Sequence, residues 1–100
     1  MWGSAPAIAA EKIQVCAKYQ INTGWSKGHL VNASHLRGSE LNTVTKSFEY
    51  SSFSTYIVIF WDKDQATIIE MDWPTINAIG QEGTDRRGLK WEIAKTRICF

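Results

Sequence analysis

This 100-residue chain predicts an all-β fold, about six antiparallel strands in a small, partly open barrel or roll of the SH3-like size class. Three observations predict it. Residues 12–21 alternate between apolar and polar side chains. Two apolar runs, Tyr56 to Trp61 and Ala66 to Met71, flank the polar segment Asp62-Lys63-Asp64-Gln65. No stretch repeats its apolar residues at helical spacing for three turns.

The first strand is Lys12 to Ile21. Ile13, Val15, Ala17, Tyr19 and Ile21 share one face, and Lys12, Gln14, Cys16, Lys18 and Gln20 share the other. Period two is the mark of a half-buried strand. Asn22-Thr23-Gly24 ends it with turn chemistry, and Trp25 to Gly28 reads as loop. His29 to Ala33 reads as a short strand, followed by a turn with room for one helical turn near residues 33–38. Leu41 to Tyr50 reads as strand because Thr43, Val44, Thr45, Phe48 and Tyr50 favour a pleated surface.

Phe53 to Trp61 is the next strand. From Tyr56 onward it lacks alternation, so both of its faces are covered. Asp62 to Gln65 is a hairpin turn, and Ala66 to Met71 is the return strand. Trp73-Pro74 stops it, because Pro74 has no N–H for a ladder. Thr75 to Ile79 reads as a short strand or one helical turn. Gly80 to Gly88 is polar, holds three glycines, and reads as the most mobile loop. Leu89 to Phe100 is the last strand. Leu89, Trp91 and Ile93 lie on one face, then Ala94, Thr96, Ile98 and Phe100 take over, a slip that predicts a β-bulge.

Composition bounds the function. One hundred residues suit a single domain over 1–100. Hydrophobic residues are 44% of the chain and aromatics 12%, with five tryptophans that supply buried area and candidate stacking surfaces. A net charge of +1 gives no broad attraction to nucleic acid or anionic membrane, so neither is expected as a partner. No apolar run reaches the roughly 20 residues of a membrane-spanning helix. The first ten residues lack the basic and apolar regions of a secretory signal, which favours a cytoplasmic chain, with an exported mature domain as the alternative.

No motif for covalent chemistry is present: no nucleophile elbow, phosphate loop or zinc-protease signature. No catalytic residue, metal site or cofactor is expected. Asp62-Lys63-Asp64 lacks the glycine and distant glutamate of a calcium loop. Cys16 and Cys99 lie on the polar faces of the first and last strands, and a bridge forms if those strands pair. Trp25 and Trp73 sit in connecting segments, where an indole can stack on a ligand or close a barrel end. Arg86 and Arg87 present guanidinium forks suited to carboxylate or phosphate.

The sequence therefore predicts a small binding or interaction module, taking a small ligand or a protein at one barrel end through Trp25, Trp73, Arg86 and Arg87. A second copy covering the strand from Tyr56 to Trp61 would make a homodimer. The alternatives are a small enzyme using His29 or His35 with Asp62, Asp64 or Glu40, and an inhibitory or structural partner protein.

Overall fold

The computed structural model describes residues 10–62 and 64–100. The reading of the N-terminal residues 1–9 and the place of Lys63 in the hairpin turn lie outside them. The elements follow in the order β1 (Glu11–Ile21), β2 (Gly24–Trp25), β3 (His29–Arg37), α1 (Gly38–Thr45), β4 (Thr55–Asp62), β5 (Gln65–Met71), β6 (Gln81–Asp85) and β7 (Lys90–Ala94). Each strand of the sequence β1-β3-β4-β5-β6-β7 pairs antiparallel with the next, and β7 returns to β1 through Cys16↔Ala94 to Tyr19↔Trp91. The result is a closed six-stranded barrel. β2 is an extra strand on the end of β1, held by Gln20↔Trp25 and Ile21↔Gly24.

Alternation fills the barrel. Ile13, Val15 and Ala17 of β1 enter the interior with Ala33, Ile57, Ile59, Ile69, Met71, Trp91 and Ile93. Ile57, Ile59, Ile69, Ile93 and Val15 are the largest fully enclosed side chains, each contributing about 1.5–3 kcal/mol of transfer free energy. β6 supplies Gly83 directly opposite Trp91. A Cβ on Gly83 would lie 2.7 Å from a methyl of Ile69 and 2.8 Å from the sulfur of Met71, so the interior has no space for one.

β4 is covered on both faces, as its unbroken apolar run implies. The outer cover comes from this chain: Tyr56 and Val58 pack with Leu36, Leu41 and Tyr50 under α1 and the loop that follows it. The Tyr56 hydroxyl accepts from the Ser51 amide at 2.9 Å. Phe60 is the exposed remainder of that outer face, at 62%.

Six readings need correction. β3 continues as strand to Arg37, so no helical turn lies at 33–37, and α1 replaces the first half of the strand expected over Leu41 to Tyr50. The β-branched residues are accommodated because Thr43 and Thr45 donate their hydroxyls to the Ser39 and Leu41 carbonyls, at 3.0 and 2.8 Å. Glu40 accepts from the Arg37 amide at 2.8 Å, and Leu41 is buried against β3 and β4. Gly38 starts the helix where a Cβ would collide with the Ser51 carbonyl oxygen.

The expected mobile loop at 80–88 contains β6, and only Arg86 to Gly88 turn. Residues 75–79 are irregular, neither strand nor helical turn. Trp25, read as loop, is paired in β2. Finally, β7 stops at Ala94 in place of the expected mid-strand slip. The Lys95 amide donates to the Asn77 carbonyl at 2.7 Å, which draws the chain out of the ladder. The register shift falls instead at Trp61, between Phe60 and Asp62.

Cys99 therefore lies in a tail beyond β7, and that tail brings it to β1. Cys16 and Cys99 are disulfide-bonded, with Cα atoms 5.4 Å apart. Gly28 packs on the bridge: a Cβ there would stand 2.6 Å from both sulfurs.

Candidate functional site

The two barrel ends differ in chemistry. At one end the inward positions of β1, β3, β4 and β7 carry rings: Tyr19, His29, Trp61 and Trp91. They touch in a circuit. Tyr19 stacks on His29 with centroids 6.0 Å apart, and His29 meets Trp61 edge-on at 5.9 Å. Trp61 lies 6.1 Å from Trp91, and Trp91 meets Tyr19 edge-on at 5.5 Å. Rings this close fill the barrel axis and form a floor.

Hydrogen bonds fix the two indoles. Trp61 Nε1 donates to Thr67 Oγ1 at 2.7 Å across the β4–β5 hairpin. Trp91 Nε1 donates to Asp85 Oδ2 at 3.0 Å. Asp85 is 8% exposed and also organises the β6–β7 turn: its Oδ1 accepts from the Arg87 and Leu89 amides at 2.9 and 3.0 Å. Burial pushes the Asp85 carboxyl up, but the donors from Trp91, Leu89 and Arg87, with the nearby Arg87 charge, outweigh it. The net direction is below the ordinary carboxylate value.

Above this floor lies a cleft of about 720 Å³. Tyr19, Trp61, Trp91 and Leu89 line its base, the segment from Asp64 to Ile68 one wall, and Asp85 to Arg87 the other. Arg86 is committed elsewhere: its guanidinium pairs with Glu49 at 3.0 Å and lies 4.9 Å over the Tyr50 ring. Arg87 makes no salt bridge among the described residues.

The four residues expected to share one site are dispersed. Arg86 and Arg87 reach the cleft. Trp25 is half-buried on β2 and does not line it. Trp73 follows the far end of β5, beside Asn77 and Gly80 at the opposite end of the barrel. The floor residues Tyr19, Trp61, Trp91, Thr67 and Asp85 were not expected to serve a site; Trp61 and Trp91 read as core. Their signal was phase. Tyr19 continues the inward set of Ile13, Val15 and Ala17, and Trp91 shares a face with Ile93, so two large rings stand on inward faces of paired strands.

The acid–base constellation is not assembled. His35 lies at the other end of β3 from His29, six residue steps or about 20 Å along the strand. Its ring nitrogens meet Glu11 at 3.5 Å and the Pro74 carbonyl at 3.2 Å. His29 contacts the Tyr19 and Trp61 rings. Glu40 caps α1. Among the described residues no cluster of three His, Cys, Asp or Glu side chains could hold a metal, and no helix is long and apolar enough to cross a membrane. No protein-family model, curated protein or solved structure matches the chain.

Proposed function

We propose that this protein is a binding module whose ligand enters the barrel mouth and rests an apolar or flat group on Tyr19 and Trp61, over the buried Trp91. The observation that carries the reading is the concentration of large rings at one end of an otherwise aliphatic barrel, beneath an open cleft. Both indoles are held in place by their own N–H bonds, so the floor is preorganised and a ligand spends little ordering it. The Arg87 guanidinium at the rim, which makes no salt bridge among the described residues, adds a site for a carboxylate.

The test is a thermal-shift and tryptophan-fluorescence screen against aromatic acids, aliphatic acids and short peptides. A ligand at 100 times its dissociation constant stabilises by about 2.7 kcal/mol, roughly 10 °C or more for a domain this size. Trp61→Ala should weaken any such ligand at least about tenfold. Ligands that bind Trp61→Ala as tightly as the parent, or no ligand of any class, would refute the reading.

A further inference from the structure

The β5 wall of the cleft carries chemistry that the aromatic floor does not use. β5 pairs with β4 from Gln65 to Met71, but with β6 only from Ile69 to Met71. β6 turns away at Asp85, leaving the start of β5 without a paired strand on that side among the described residues. Strand parity says which groups are left. The Asp72 amide donates to the Glu82 carbonyl, so even-numbered residues of β5 direct their N–H and C=O groups toward β6. Ile68 therefore faces Arg86, and Ala66, beyond the last pair, directs its groups into the cleft. The Ile69↔Asp85 pair sets the Arg86 amide against the Ile68 carbonyl, whereas the Ala66 N–H and C=O find no backbone partner on that side among the described residues. A barrel otherwise removes sheet edges, and here a short one survives inside a cleft.

We propose that this edge is a strand-addition site, and that its occupant is an extended peptide segment of another protein bearing an acidic side chain. This rests on the binding-module reading and specifies its ligand. An added strand supplies the donor and acceptor that Ala66 lacks and continues the ladder beyond the Ile69↔Asp85 pair. Its inward side chains descend toward Trp61 and Trp91, and its carboxylate meets Arg87. About four residues fit the length of the open edge at 3.3 Å per residue. The recess selects a single strand. A second barrel offering the same edge would bring its own Arg86–Leu89 turn against this one. A small flat molecule would cover the floor and leave the edge groups to water.

The experiment selects a displayed library of random octapeptides against the intact, oxidised protein, then measures binding of the enriched sequences by fluorescence anisotropy. Three results are expected. Methylating alternate peptide amides weakens binding about three- to tenfold each, and methylating the intervening ones does not. Ala66→Pro, which removes an edge donor, weakens it by a similar factor while far-UV circular dichroism stays unchanged. Arg87→Gln weakens it and flattens its salt dependence. The methylated peptides probe the edge with the parent protein, so a poorly folded variant does not decide the matter. No enrichment overturns the inference, as does insensitivity to amide methylation, or a dimer mass in light scattering that competes with peptide. If small aromatic acids still bind through Trp61 in those cases, the binding module stands and only strand addition falls; if nothing binds, both fall.

Discussion

Asp85→Asn is the substitution that most directly tests how the mouth is built. The Asp85 carboxylate receives three donors: Arg87 N, Leu89 N and Trp91 Nε1. Asparagine keeps one acceptor oxygen. If that oxygen serves the two turn amides, the new NH₂ group faces the indole N–H, donor against donor. Leaving a buried N–H without an acceptor costs about 1–3 kcal/mol, and loss of charge weakens the other two bonds. The expected destabilisation is about 2–4 kcal/mol, a melting temperature lower by about 10 °C or more. The effect must also depend on pH. The folded Asp85 pKa lies below its ordinary value. Its stabilisation is therefore complete above the unfolded value of about 3.9 and is lost as pH falls through the folded value. Urea unfolding of parent and variant, followed by tryptophan fluorescence from about pH 7 to pH 2.5, measures both. A variant within about 0.5 kcal/mol of the parent at neutral pH, or a gap that stays constant into acid, would refute the reasoning.

Two further substitutions probe the rest of the scaffold. The Cys16–Cys99 bond spans a sequence separation of 83; replacing both cysteines with serine should cost about 2–4 kcal/mol, and equal urea midpoints with and without reductant would contradict this. Asn42 ties α1 to its loop, donating to the Tyr50 carbonyl at 2.9 Å and accepting from the Tyr50 amide at 3.0 Å; Asn42→Ala should cost about 1–3 kcal/mol by chemical denaturation, with faster amide exchange at Tyr50.

Where one physical rule governs a segment, the sequence reads correctly. β1 obeys period two because one of its faces meets the barrel interior. The run Tyr56 to Ile59 is apolar on both faces because α1 and its loop cover the outside. α1 was illegible because its local preferences oppose its fate. Thr43, Val44 and Thr45 favour strand, and the helix is set by tertiary terms: Leu41 burial, the Asn42–Tyr50 bonds and the fit of Gly38 against Ser51. β6 was illegible for the opposite reason. Its inward positions are Gln81, Gly83 and Asp85, none of them apolar. Gly83 is there because Ile69 and Met71 already occupy the space, and Asp85 because three donors await it. Polarity in that segment reads as loop until the neighbours are known.

The same feature explains why the candidate site lies at this end. The β4–β5 hairpin runs on to Asp62↔Gln65, whereas β6 ends at Asp85, paired with Ile69. One hairpin thus outruns its neighbour by four residues. What stops β6 is local: Asp85 accepts the amides of Arg87 and Leu89, and Gly88 supplies the positive φ of 89° that turns the chain. That turn exposes the edge of β5, places Arg87 at the rim, and, through the Trp91 bond, fixes the floor. Opening, rim charge and floor are therefore not independent features. They share Asp85, so a change there should disturb stability and mouth geometry together, whereas Trp61→Ala should disturb the floor and leave the edge.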